Sequence, residues 1–184
     1  KLDFLKEGVE MNMEISHAGE KLPWGQSMEA LTAKGYMNDS LLLSVQRVTS
    51  CASFARMSGV QLPVMTTTGS GNQGITLILT IAATASKLGV AEDKMLRAIA
   101  FGQAINLYAK HYLGTLSCLC SCSVAAGLSA SAGIVYMMGG DDQQVLDTMR
   151  NVLGSISGMI CDGAKEGCAS KVCLSTGLSV MSAM

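Results

Sequence analysis

Aromatic residues are scarce: three Phe, four Tyr and one Trp make up 4% of 184 residues. A chain this poor in rings offers no stacking platforms for single-stranded nucleic acid. Charge is sparse as well, at 15% of residues, with a net charge of −1 and a pI near 6.1. No basic excess exists to neutralise phosphates, so no nucleic-acid partner is expected. Strand signals are nearly absent, because alternating runs bounded by turns do not occur and clusters of Val, Ile and Tyr are few. The opening KLDFLKEGVEMNME carries acids early and has no apolar run before a small-residue cleavage site, so it does not read as a signal peptide.

What the chain does contain is apolar and helical. Hydrophobic residues reach 49%, so much surface is buried internally or against a partner, and a homodimer is one expected assembly. Leu2, Leu5, Val9 and Met13 follow helical spacing, and a loop is expected around Pro23, Trp24 and Gly25. Asp39 reads as the cap of SLLLSVQRVTSCASFARM, with Gly59 as its stop. ITLILTIAATASKL reads as a buried helix ending at Gly89, and Ala91, Glu92 and Asp93 open an acid-started helix. A long small-residue helix is expected from about Ser117 to Met138 and another after GGDD, with a last one from about Ser170. The expected fold is all-α: one compact helical domain over residues 1–184 with a central, buried, small-residue-rich helix. The chain opens at Lys1 as if mid-helix and ends in SVMSAM, so it reads as part of a longer protein.

Tyr112 to Gly140 carries no charged residue, a stretch long enough to span a bilayer. It is rich in Ser, Gly, Ala and Cys, and no basic flank supports insertion. Burial on two sides within a water-soluble helical core is the preferred reading over a membrane-embedded bundle. Seven cysteines, an odd number in a long chain of low charge, point to reduced thiols in a cytoplasm and not to a disulfide scaffold.

Four constellations could carry chemistry. GSGNQG, Gly69 to Gly74, follows three threonines. Its glycines would let backbone N–H groups approach an anion, with Ser70, Gly71 and Asn72 around a carboxylate; on spacing alone, a helix-linking turn outside the core is the favoured reading. Cys118, Cys120 and Cys122 form the second group. On a regular helix residues two apart point about 200° apart, so Cys120 would not share a face with the other two. The bland alternative is that each thiol fills core space as a small hydrophobe. CDGAKEGC, Cys161 to Cys168, lies where a helix should end, and Lys165 could help stabilise a thiolate there. It matches no zinc-finger spacing and has no histidine nearby, and two unrelated loop thiols are the alternative. Cys51 and Cys173 look like packing residues. His111, in AKHYLG, is a surface or capping residue or a proton-transfer group.

GVQLPVMTTTGSGNQGI, KHYLGTLSCLCSCSVAAGLSASAGIVYMMGG and GSISGMICDGAKEGCASKV together resemble successive blocks of L-cysteine desulfidases, a group similar to the alpha chain of bacterial iron–sulfur L-serine dehydratases. The resemblance covers the chain from about Met37 onward, and the order of three blocks makes it more specific than any single motif. It implies a 4Fe–4S cluster held by three cysteines, with one iron open to bind substrate as a Lewis acid. Carried over by motif, one ligand comes from LCSC, with Cys120 preferred to Cys122, and two come from Cys161 and Cys168. Family members often read CGC where this chain has Cys120-Ser121-Cys122.

The implied reaction is β-elimination of a small amino acid, L-cysteine to pyruvate, ammonia and sulfide, or L-serine to pyruvate and ammonia. His111 and Lys165 are the residues of this chain considered for acid–base or electrostatic roles. The family's N-terminal cysteine base would lie in a region missing here, which is the expected covalent partner of this chain. No pyridoxal phosphate is implied, and no Schiff-base lysine is evident. The rival to an enzyme is a catalytically silent helical binding protein that kept the fold.

Overall fold

The computed structural model describes residues 2–114 and 116–184. Among them the elements are α1 (Asp3–Glu20), α2 (Pro23–Ala33), α3 (Leu41–Met57), a helical stretch of α4 (Gly71–Gly74), a π-helical turn (Ile75–Leu79) and α5 (Thr80–Leu88), then α6 (Glu92–Leu113), α7 (Val124–Met138), α8 (Asp142–Ile156) and α9 (Cys168–Ala183). The fold is all-α, as expected. No described residue belongs to a strand; two isolated antiparallel bridges occur, Thr67 with Ser70 and Leu119 with Ile160.

The centre is α7, in contact with α5, α6, α8 and α9. Its run VAAGLSASAGIVYMM is buried except at Tyr136 and Met138. Small residues make that possible. A Cβ on Gly133 would stand 2.4 Å from Ile81 Cδ1 and 3.0 Å from the carbonyl oxygen of Ala98, so only glycine lets α5 and α6 approach here. Buried hydroxyls on α7 are satisfied within the helix: Ser129 Oγ donates to the Ala125 carbonyl at 2.7 Å and Ser131 Oγ to that of Leu128 at 2.8 Å. Leu77, Ile81, Ile99, Ile134 and Met137 fill the main core around it. No described helix is long and apolar enough to cross a membrane.

Several boundaries differ from those read in sequence. The loop expected at Pro23 is α2, with Pro23 in the first turn, where its missing N–H leaves no helical bond unmade. Ser40, not Asp39, caps α3: its Oγ accepts from the Leu43 N–H at 3.2 Å, while Asp39 accepts from Ser44 Oγ and pairs with Lys87. Gly89 ends α5 in the left-handed conformation, as read. Asp141 opens α8 with a full capping box, its carboxylate accepting from the Gln144 N–H while the Gln144 side chain accepts from the Asp141 N–H. The largest change lies before α7. The helix expected from Ser117 begins only at Val124, and Cys118 to Ser123 form a loop.

Candidate functional site

The site begins with the chain between α3 and α4. Asn12, fully buried on α1, pins that segment through both amide atoms: its Oδ1 accepts from the Met65 N–H at 2.9 Å and its Nδ2 donates to the Met65 carbonyl at 3.4 Å. A tight turn follows, closed by hydrogen bonds in both directions between Thr67 and Ser70, at 3.2 and 2.9 Å. Thr68 sits at φ +48, unusual for a β-branched residue, next to Gly69 at φ +80. Such a conformation persists only when its surroundings enforce it. Here Thr68 Oγ1 donates to Asn106 Oδ1 at 3.1 Å and to Gln73 Oε1 at 3.3 Å, and Thr67 Oγ1 donates to Gln103 Oε1. The turn therefore delivers Ser70 in a fixed place, where its Oγ caps α4 and lies 4.0 Å from Cys122 Sγ. The sequence placed GSGNQG outside the core, whereas Gly71, Asn72, Gln73 and Gly74 are all buried. The reason is close packing: a Cβ on Gly74 would stand 2.0 Å from the Met65 carbonyl oxygen.

The second wall is made by two short loops that pair. The Cys120 N–H donates to the Met159 carbonyl and the Cys161 N–H to that of Cys118, each at 2.8 Å. This pairing explains why helix propensity loses before α7, since the backbone of Cys120 is committed to a distant segment. It also removes the facing argument drawn from a regular helix. Cys120 and Cys122 are close neighbours on this loop, and Cys120 Sγ donates to Ser123 Oγ at 3.6 Å. The neighbouring Cys122 thiol, the Ser123 hydroxyl and the Lys171 charge hold Cys120 below the ordinary thiol range. The adjacent Cys120 thiol, followed by burial, pushes Cys122 far above that range.

The third wall is Cys161 to Cys168. Asp162 forms ion pairs with Lys165 and with Lys171, which hold its carboxyl well below the usual range. Lys171 Nζ also donates to the Ile160 carbonyl at 2.9 Å. Cys168 is the first residue of α9, and its Sγ donates to the Gly163 carbonyl at 3.6 Å.

These walls enclose one cavity of about 430 Å³. Cys120, Cys122, Cys161 and Cys168 line it together with Ser70, Gly71 and Asn72. His111 and Lys165 do not. His111 is exposed and borders a neighbouring cavity that shares Thr68 and Lys110 with this one, while Lys165 turns to Asp162. Cys51 and Cys173 stand apart, each thiol pushed up chiefly by burial, Cys51 to about 12. Sequence reasoning missed Arg56, Lys110 and Lys171, which also line the cavity. The signal in the case of Arg56 was a basic residue in the last turn of α3, close in sequence to the Gly-rich loop.

Residues 1–184 match the family model of the serine dehydratase alpha chain. The chain belongs to that family. Similar relatives are UPF0597 proteins of Alkaliphilus metalliredigens, Alkaliphilus oremlandii and Desulfotalea psychrophila, at 43%, 42% and 42% identity over the whole of this chain. The chain spans 42%, 44% and 43% of their respective lengths, less than half of each. No solved structure matches it. In this serine dehydratase alpha-chain member the thiols come from two segments far apart in sequence that the fold makes neighbours. Among the described residues no three His, Cys, Asp or Glu side chains converge so as to hold a single metal ion. A cluster makes a different demand, since each cysteine ligates its own iron; a donor set of thiols alone fits that by type.

Proposed function

We propose that the full-length protein is an iron–sulfur β-eliminating lyase acting on L-serine or L-cysteine, and that this chain supplies its cluster and substrate walls. The observation carrying the reading is the shared cavity: Cys120, Cys161 and Cys168, with Cys122 as the alternative to Cys120, face the same space as the Ser70–Asn72 loop. When bound, a 4Fe–4S cluster would supply a Lewis-acidic iron to polarise the leaving hydroxyl or thiol.

This chain's own residues would do the rest. Ser70 and the backbone of Gly71 and Asn72 would hold the substrate carboxylate, setting the Cα–H bond toward an incoming base. Loss of that proton and of the β-substituent, as water or hydrogen sulfide, leaves aminoacrylate. Its imine tautomer hydrolyses to pyruvate and ammonia. Lys171, fixed by Asp162 and the Ile160 carbonyl, would stabilise negative charge on the Cys120 side. The proton-accepting group would come from the remainder of the protein, because neither His111 nor Lys165 borders the cavity.

The test is anaerobic reconstitution of the full-length protein, with iron, sulfide and pyruvate measured for each amino acid. Cluster binding with pyruvate release supports the reading. A protein that takes up no iron and turns over neither amino acid is instead the silent helical binding protein.

A further inference from the structure

We propose that Arg56 is the carboxylate-recognising residue of this cavity, and that position 71 is glycine to let the guanidinium reach it. The chain has four arginines. Three face a carboxylate: Arg47 with Glu20, Arg97 with Asp93 and Arg150 with Asp147. Arg56 does not, and among the described residues no carboxylate lies within ion-pair reach of it. It is half-buried at the end of α3, and it lines the thiol cavity, whose described lining includes no Asp or Glu. A guanidinium drawn out of water without a counter-charge is a costly arrangement. Its position in a cavity makes a small anionic ligand the missing partner.

The geometry around Arg56 is built. Its Nη1 donates to Asn72 Oδ1 at 3.3 Å, and Asn72 is itself 4% exposed and held in the buried loop. A guanidinium has five N–H donors, so one anchored at Asn72 keeps donors for a two-pronged grip on a carboxylate. A Cβ on Gly71 would stand 2.5 Å from Arg56 Nε and 2.8 Å from Val64 Cγ2. Any side chain there must displace the arginine. The two lysines of the lining are engaged elsewhere: Lys171 with Asp162 and the Ile160 carbonyl, Lys110 with a partner of its own. The inference rests on the lyase reading for which carboxylate binds, but not for the recognition itself. Because no lining carboxylate is present to pair with an α-ammonium group, this wall selects on the carboxylate alone.

The experiment is calorimetric binding to the full-length protein, independent of turnover, with L-serine, L-serinamide and pyruvate as probes. Arg56→Gln is expected to weaken L-serine and pyruvate on the order of 10- to 100-fold, while leaving the already weak serinamide unchanged. Arg56→Lys recovers part of the affinity, since it keeps the charge but loses the fork. Arg56→Ala regains pyruvate binding when guanidinium is added. Gly71→Ala reproduces the Arg56→Gln loss, and the double variant is no worse than either single. Unchanged L-serine and pyruvate affinity in Arg56→Gln overturns the proposal, as does equal loss of all three probes. A wild type that binds pyruvate through Arg56 but not L-serine would remove serine as a substrate in the lyase reading and leave this inference standing. A wild type that does not bind pyruvate overturns the inference.

Discussion

The N–H of Cys161 donates to the carbonyl of Cys118 at 2.8 Å. With the reciprocal bond from Cys120 to Met159, it closes a small antiparallel ladder around the Leu119–Ile160 bridge. Neither bond involves a side chain beyond Cβ. The loops are thus joined by backbone alone, leaving the sulfurs of Cys120 and Cys161 for other chemistry.

That separation makes Cys161 a clean test. In the full-length protein Cys161→Ala is expected to lose the cluster and the elimination activity while keeping helical circular dichroism, because the backbone ladder survives. Iron and sulfide content, read beside turnover, decide it. Full iron and normal rates would remove Cys161 from the ligand set.

Cys51 and Cys173 give the opposite expectation. Cys51 is wholly inaccessible, and burial holds its thiol protonated at any physiological pH. Cys51→Ala and Cys173→Ala should leave iron content and turnover near wild type. Cys51→Ala deletes one buried heavy atom and should cost about 1 kcal/mol in denaturant unfolding, and Cys173→Ala, at a half-buried position, no more than that. Iron loss with the fold retained would reassign the site.

The helical class and the central α7 were legible because small-residue composition and capping signals act locally. Gly89 and the acid-started α6 illustrate this. The thiol loop was not legible. LSCLCSCSVAAG carries no breaker between Ser117 and Val124, and what ends the helix there is the backbone commitment of Cys120 to Met159. Arg56 was missed for a related reason. Its meaning lies in the carboxylate it lacks and in its contact with Gly71, and both depend on the folded neighbourhood.

Asp162 ties the third wall to α9 through Lys165 and Lys171. Its carboxyl is held low by those two lysines, so pairing is fully present above the ordinary carboxylate pKa and is lost only as pH falls through the lowered value. Amide hydrogen exchange over residues 161–168 should stay protected at pH 4, near the ordinary aspartate midpoint of about 3.9. Asp162→Asn should raise exchange there at every pH from 4 to 8, with the rest of α9 unchanged. Equal protection in both proteins would show that the ion pairs do not hold the loop.

Asn72 offers a test in which a substitution supplies the charge Arg56 lacks. The Asn72 amide oxygen accepts from Arg56 Nη1, and the residue is almost fully buried. Asn72→Asp keeps the shape and places a carboxylate against the guanidinium, so an internal ion pair occupies the donors that a substrate would use. Asn72→Leu instead removes the acceptor and leaves Arg56 unanchored. A hydrogen bond to a charged group contributes about 1.5–3 kcal/mol, so each variant should lose roughly tenfold to a hundredfold in kcat/KM for serine or cysteine. They should separate in stability. Asn72→Asp is expected to unfold at or above the wild-type denaturant midpoint, because it compensates a charge the wild type leaves open. Asn72→Leu should unfold earlier, because it strands a buried donor. Iron content should stay constant in both, since no thiol changes. A loss of kcat/KM in Asn72→Leu alone would mean that loop packing, and not competition for Arg56, governs substrate binding.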